Sequence, residues 1–307
     1  MAHIPVLLQE ILHHLSPKDG GVYVDCTFGA GGYTRAILSA ANCKVIAFDR
    51  DSNVQKFADS IAKDFPERFV FHNVENALIG EILENVAGTI DGIVYDLGVS
   101  SMQIDTAERG FSFQEDGPLD MRMDTLQTLT AEHIVNEFSE TEIANIIYQF
   151  GDERKSRVIA RAIIDYRQNQ RITKTLELAR IVQSVLKQGR SEINVATKTF
   201  QALRIYVNSE LDQLKISLQS AKTLLKIGGR LVAVSFHSGE DKIVKSMFNS
   251  WCGKISNINK YLPQQDLNFV ESQFTFLNKG TVIATNEEVM SNPRSRSARL
   301  RAIVKTS

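Results

Sequence analysis

The sequence predicts an α/β protein: a Rossmann-like, doubly wound sheet interrupted by an inserted block of helices. Three observations predict it. Over residues 1–104, short apolar runs alternate with amphipathic stripes, a pattern that implies parallel strands joined by right-handed crossovers. A glycine loop, Gly29-Ala30-Gly31-Gly32, follows the first run. From about residue 105 the strand-like runs stop, and they return only in the last third of the chain. The expected organisation is 1–104 and 200–307 as two parts of one α/β domain, with 105–199 inserted between them.

The first strand is Val22-Tyr23-Val24-Asp25, followed by the glycine loop and a helix from Tyr33 to Ala41. Lys44 to Asp49 is a second strand. Val54, Phe57, Ala58, Ile61, Ala62 and Phe65 then recur every three or four residues, the stripe of an amphipathic helix. Phe69-Val70-Phe71 is a third strand and Ile90 to Asp96 a fourth. In the inserted block, Ser139-Glu140-Thr141-Glu142 is a capping box, and Gly151 stands where a helix C-cap is expected. Val158, Ile159, Ala162, Ile163 and Tyr166 form a second helical face, and Leu178, Ala179, Val182, Val185 and Leu186 a third. Phe200, Leu203, Val207, Leu211, Leu214, Leu218, Ala221 and Leu225 read as one long helix ending at Gly228-Gly229. That stripe is either all core or partly a homodimer face. Arg230 to Ser235 returns as a strand, Asp241 to Trp251 as a helix, and Leu300 to Val304 as a final strand.

Composition narrows the function classes. The chain is 43% hydrophobic and 23% charged, which excludes disordered, collagenous and coiled-coil proteins. The three scattered cysteines, Cys26, Cys43 and Cys252, form no CxxC pair, and the histidines show no ligand spacing, so no metal is expected. No apolar run is long enough to span a bilayer, so a soluble, cytoplasmic protein is expected. A net charge of −1 hides a local asymmetry. Arg154, Lys155, Arg157, Arg161, Arg167, Arg171 and Lys174 cluster in the inserted block, and Arg294, Arg296, Arg299, Arg301 and Lys305 near the end. Such clusters form either a phosphate-binding face or a solvated surface. The stretch from Asp105 to Asp124 is acidic instead.

The glycine loop lets the backbone approach a ligand at the mouth of the sheet, and Asp49 ends the next strand where ribose hydroxyls are bound. A helix N-cap is the other reading of Asp49, although Asp51 fits that role better. The loop departs from the G-x-G-x-x-G of dinucleotide folds, and Asp25 precedes it. A carboxylate repels a pyrophosphate and attracts an amino group, so S-adenosylmethionine is favoured over NAD. Asp96-Leu97-Gly98 places a further acid at a strand tip, beside Ser100 and Ser101. A catalyst and a non-catalytic S-adenosylmethionine- or RNA-binding module are the two classes left standing, and the intact loop with both acids favours the catalyst.

Several longer stretches carry a resemblance. His3-Ile4-Pro5-Val6-Leu7-Leu8, Phe28 to Gly32, Asp49-Arg50-Asp51, Asp96 to Gln103 and Arg109-Gly110-Phe111-Ser112-Phe113 occur in order. They are followed by Asp116-Gly117-Pro118-Leu119-Asp120-Met121-Arg122-Met123, Phe200 to Ile205 with Val207 to Leu211, Ser235-Phe236-His237-Ser238 and Asn292-Pro293-Arg294. With these the chain resembles the bacterial 16S rRNA cytosine-N4 methyltransferases, the ribosomal RNA small subunit methyltransferase H (MraW) family, over nearly its whole length.

The resemblance implies a class I S-adenosylmethionine-dependent methyltransferase fold with an inserted α-helical substrate-recognition domain. It implies N4-methylation of a cytosine, family position C1402, in 16S rRNA of the small ribosomal subunit. It maps cofactor contacts onto Gly31, Gly32, Tyr33, Asp49, Glu75, Asp96 and Gln103. Tyr33 stands where many relatives carry histidine, Glu75 where an aromatic is usual, and Gly239 where leucine is common. Asp96, Ser100 and Ser101 are the expected catalytic groups, acting on the amino nitrogen. Phe111 and Phe113 either stack on a flipped base or anchor their loop. Asp120 either reads the base or pairs with Arg122 or Arg109. His237 is either an acceptor-site or a structural histidine. Arg157 and Arg161, with Arg167 and the Arg294–Arg301 tail, are expected to hold RNA phosphates.

Overall fold

A computed structural model describes residues 5–187, 194–254 and 272–307; His3 and Ile4 lie outside the described residues. Along the chain come α1 (Leu8–Leu15), β1 (Val22–Asp25), α2 (Gly32–Ala40), β2 (Lys44–Phe48), α3 (Gln55–Asp64), β3 (Phe69–His72), α4 (Ile79–Ile82) and β4 (Ile90–Asp96). Helices α5 (Ser101–Asp105), α6 (Ala131–Glu137), α7 (Glu140–Gly151), α8 (Ser156–Arg167), α9 (Thr175–Val185) and α10 (Thr197–Val207) follow. The chain ends with α11 (Glu210–Leu224), β5 (Leu225–Ser235), α12 (Ser238–Trp251), β6 (Phe274–Phe276), α13 (Asn286–Ser291) and β7 (Arg299–Lys305). Two compact units result, Met1–Gly98 with Leu211–Ser307, and Val99–Glu210. The helical unit reaches past 199 because Phe200, Ala202, Leu203 and Val207 of α10 pack into its core.

In the α/β unit the strand order is β3-β2-β1-β4-β5-β7-β6. The first five strands are parallel; β7 runs antiparallel to β5, and β6, antiparallel to β7, returns to the direction of the first five. This is the expected doubly wound arrangement, with one reversed strand, β7, in place of a wholly parallel sheet. Val24, Ile93, Val94 and Tyr95 on the central strands are fully buried, as strands covered on both faces must be. Parallel neighbours β2, β1 and β4 end on the same edge, and each ends on an aspartate or immediately before one.

Several expectations are corrected. The stripe from Phe200 to Leu225 is two helices, broken at Asn208 and Ser209, where Ser209 turns left-handed (φ 49°). Asn208 accepts a hydrogen bond from Met123 N (2.7 Å) and donates to Met121 O (2.8 Å), bolting that loop to α10. Phe200, Leu203 and Val207 fill the helical core, and Leu214, Leu218 and Ala221 fill the sheet core. The stripe is therefore buried within its own chain, apart from half-buried Leu211. The second helix ends at Leu224, and Gly228-Gly229 lie inside β5. Gly151 is helical, because a Cβ there would sit 2.5 Å from Lys198 O; Asp152 takes the left-handed turn instead. On α8 the buried face is Ser156, Ile159, Ala160 and Ile163, and Val158 faces solvent. Among the described residues no helix is long and apolar enough to cross a membrane.

Candidate active site

Three carboxyls crowd the carboxyl ends of β1, β2 and β4. Asp25 is fully buried, accepting from Thr34 Oγ1 (2.7 Å) and Thr27 N (3.2 Å). It therefore holds the loop and the first turn of α2, and is not open to a ligand amino group as its position suggests. Asp49 accepts from Gly29 N (2.7 Å) with one oxygen and from Asp51 N (2.9 Å) with the other. Asp51 is the N-cap of the turn that follows, accepting from Asn53 N, so Asp49 is a strap between two loops rather than a cap. The Asp96 amide donates to Thr27 Oγ1 (2.6 Å), which fixes the β4 tip, while Asp96 Oδ1 is buried with no hydrogen-bond partner among the described residues.

Burial pushes Asp25 and Asp49 up to about 6. Burial pushes Asp96 up to about 8, the charges of Asp25 and Glu240 adding to the effect and the Tyr33 hydroxyl opposing it. Desolvation and like charge both disfavour the ionised form, so this edge is poised to receive a cation or a hydrogen-bond donor. Within the glycine loop, Gly31 and Gly32 have packing reasons for lacking a side chain. A Cβ on Gly31 would lie 2.4 Å from Ile61 Cδ1, and one on Gly32 2.4 Å from Pro5 Cγ. Gly29 is the least crowded of the three, a Cβ there meeting nothing nearer than Thr27 O at 4.0 Å, and its φ is +53°. The set fits an adenosyl cofactor with hydroxyls and a positive charge, and no basic group of the loop is placed for a pyrophosphate: Arg50 is paired with Glu75.

That ion pair engages the Glu75 carboxylate, expected at the cofactor, with a neighbouring loop residue. Tyr33 is buried and donates to Val6 O. His237 caps α12: its Nδ1 accepts from Gly239 N (3.2 Å), and Nε2 lies 2.9 Å from Glu240 Oε1, off the line of a hydrogen bond. It is a structural histidine, locked in place because Glu240 Oε2 accepts from the amides of both Phe236 and His237.

The helical unit corrects more. Ser100 Oγ accepts from Gln103 N (3.2 Å) and Gln103 Oε1 accepts from Ser100 N (3.0 Å), so both residues form the capping box of α5. That engages the Ser100 hydroxyl and leaves Ser101, in the first turn, half-buried. Phe113 packs edge-on against Phe200 (4.7 Å), and Phe111 lies under Arg109 (5.6 Å) and against the helical core, so both anchor the loop. Burial raises Asp120, but two 2.8 Å bonds from Arg122 outweigh it and hold the carboxyl low. Arg161 pairs with Asp165 and Glu140, Arg167 donates to Val135 O, and Arg171 bridges Glu132 and Glu137. Arg154, Lys155, Arg157 and Lys174 are the exposed basic side chains of that cluster with no such partner among the described residues. In the α/β unit Arg301 is buried against Asp241 (2.8 Å), and Arg299 reaches the same carboxylate, so neither is available to phosphate.

Sequence reasoning missed Thr27, Thr34, Asn208 and Glu240. The first two were legible as small hydroxyls flanking the glycine loop, and Glu240 as the acid three residues after His237. Asn208 was visible only as a polar interruption in an apolar stripe.

Residues 1–306 match the MraW methylase family. The chain is 52% identical over 303 residues to Ribosomal RNA small subunit methyltransferase H of Neorickettsia sennetsu, covering 99% of this chain and 96% of that protein. It is 50% identical to the protein of that name from Ehrlichia canis, covering 99% of each. Among solved structures it is similar to an rRNA methylase from Streptococcus thermophilus, at 12% identity and a TM-score of 0.40 over the whole of both chains.

The raised carboxyls set a pH dependence. A carboxyl held above its unfolded value keeps a proton that the unfolded chain has released, so stability falls as pH rises between the two values. His14 and His72, held below 6.5 first by burial, act in the opposite direction and only below that pH. From pH 6.5 to 8.5 Asp96 therefore dominates among these groups, and the melting temperature of the cofactor-free protein is expected to decline. Asp96→Asn should flatten the decline and be more stable at pH 8 by about 1–2 kcal/mol. Thermal unfolding across this range checks it; a wild-type melting temperature that climbs with pH, or a variant that tracks it, contradicts the assignment.

Proposed function

The chain belongs to the MraW methylase family, and from that membership we propose that it methylates the N4 amino group of a cytosine, family position C1402, in 16S rRNA of the small ribosomal subunit. It is an S-adenosylmethionine-dependent rRNA methyltransferase, and the base, atom and position are the proposal. The observation that carries it is Asp96 Oδ1, buried at the tip of β4 and without a partner among the described residues.

When bound, S-adenosylmethionine supplies a methyl group already activated on a cationic sulfur. What remains for the protein is alignment and charge. The cytosine amino nitrogen is a poor nucleophile because its lone pair is delocalised into the ring. Asp96 Oδ1 accepts a hydrogen bond from that amino group, turns the lone pair out of conjugation and takes the proton that the methylated nitrogen releases. A cation beside Asp96 lowers its pKa again, so the carboxylate is present when it is needed. Asp49 receives the ribose hydroxyls on the lone pairs its two amide donors leave open, and the open face of Gly29 admits the cofactor. The backbone of Gly31 and Gly32 and the Tyr33 ring line the same loop. Ser101 is the hydroxyl left for the acceptor, since Ser100 is committed to its helix.

A paired or stacked base cannot reach a strand tip, so the target is flipped out and contacts with flanking phosphates offset the cost. We assign those contacts to Arg154, Lys155 and Arg157 rather than to Arg161, Arg167, Arg299 and Arg301, whose charges are already engaged. Catalysis takes place in the cytoplasm, where the small subunit is assembled.

Two experiments test these assignments. Purified protein with labelled S-adenosylmethionine and unmethylated small subunits is expected to yield N4-methylcytosine on nucleoside mass spectrometry. Asp96→Asn should slow transfer by roughly a hundredfold or more. Label on another atom, or a native rate in the variant, overturns the reading. Replacing Arg154, Lys155 and Arg157 together by alanine should weaken RNA binding and shrink the salt slope by roughly 0.7–0.9 per lost phosphate contact, with cofactor affinity retained. Native RNA affinity at every salt concentration makes that cluster a solvated surface.

A further inference from the structure

Two stretches stand outside the mechanism so far: Pro5 to Leu8 at the start of the chain, and the segment that precedes the last strand. The fold joins them. Leu7 N donates to Glu288 Oε1 of α13 at 2.7 Å, across 281 positions of sequence. One residue earlier, the Val6 carbonyl accepts from the Tyr33 hydroxyl on α2. Val6 and Leu7 are buried, and the Pro5 ring lies against Gly32 so closely that a Cβ there would be 2.4 Å from it. Residues 5–7 thus cross the first turn of α2, the turn that opens from the glycine loop.

The backbone at this crossing is strained. Leu7 takes a left-handed conformation, φ 51°, which a leucine adopts at a cost. Such a conformation persists where the surroundings over-determine it, and it clusters at ligand clamps. Here the determinants are one carboxylate and one phenol. The phenol is a permanent donor: burial, then the charges of Asp96 and Asp25, and also that of Glu288, hold it well above its ordinary range. Tyr33 therefore touches the strap through Val6 while sharing its surroundings with Asp96.

We propose that Glu288 is a positioning residue for the cofactor: with Tyr33 it straps residues 5–7 across Gly32, so that this segment forms a wall of the cofactor site and must yield before the cofactor leaves. The proposal rests on the assignment of the glycine loop to S-adenosylmethionine. A staple that merely joined α13 to α1 would stabilise the fold with or without cofactor. A strap instead sets the lifetime of the complex, as closing segments do in many enzymes.

Glu288→Ala removes the acceptor, whereas Glu288→Gln keeps a carbonyl oxygen for Leu7 N. Calorimetry and stopped-flow dissociation with S-adenosylmethionine and S-adenosylhomocysteine are read beside hydrogen exchange at the Leu7 amide and the melting temperature of the cofactor-free proteins. Glu288→Ala is expected to release both ligands roughly tenfold faster and to lose the slowing of Leu7 exchange that binding produces in the wild type. Glu288→Gln should stay within about threefold of wild type. If Glu288→Ala unfolds without ligand, Tyr33→Phe, which cuts the other tie, is expected to show the same faster release. Wild-type release rates in Glu288→Ala, or in Tyr33→Phe, overturn the strap while leaving the cofactor assignment intact. A wild-type protein that binds neither ligand overturns both.

Discussion

The structure turns on one constraint: three carboxyls, Asp25 buried and Asp49 and Asp96 half-buried, stand side by side at the tips of adjacent parallel strands, and the loops around them supply donors to the carboxyls of the first two. Asp25 takes Thr27 and Thr34, Asp49 takes the amides of Gly29 and Asp51, and Asp96 is held through its own amide by Thr27. The shape of the glycine loop follows from these bonds. It follows equally from Ile61, Phe28 and Pro5, which fill the space where side chains on Gly31 and Gly32 would be. Among the described residues, one carboxyl oxygen of the group, Asp96 Oδ1, is buried with nothing to accept from. A site that is unfavourable when empty and complementary to a cationic ligand and an amino group is the electrostatic pattern that proton and group transfer require.

The rest of the α/β unit keeps that edge rigid. The buried Arg301–Asp241 pair ties β7 to the first turn of α12, and Glu240 locks the turn just after β5 through two backbone amides. Arg301, expected among the phosphate contacts, is instead held by Asp241. In the helical unit the same economy applies: Arg122 serves Asp120, and Asn208 serves the backbone of Met121 and Met123.

Legibility from sequence divides along physical lines. Strands β1, β2 and β4 were readable because a strand buried on both faces is a continuous apolar run, and an aspartate at its end stands out. The capping box at Ser139 was readable because its two partners are three residues apart. The boxes at Ser100–Gln103 and His237–Glu240 have the same spacing, but a functional reading of Ser100 and His237 hid them. The break at Asn208 was not readable, since apolar residues continue on both sides while serving two different cores. Nor were the partners of Arg171 and Arg301, because an ion pair between distant positions leaves no local trace. Burial is likewise invisible to composition, and so Arg301 counted as surface charge.

The central claim is that Asp96 is an uncompensated carboxyl whose proton a bound cation displaces. Carbon-13 NMR titration of its side-chain carboxyl in the cofactor-free protein, assigned by comparison with Asp96→Asn, measures this directly. The account predicts a midpoint near 8. It also predicts that S-adenosylmethionine lowers the midpoint and that neutral S-adenosylhomocysteine lowers it less. A midpoint near the ordinary 3.8 in the empty protein would contradict it.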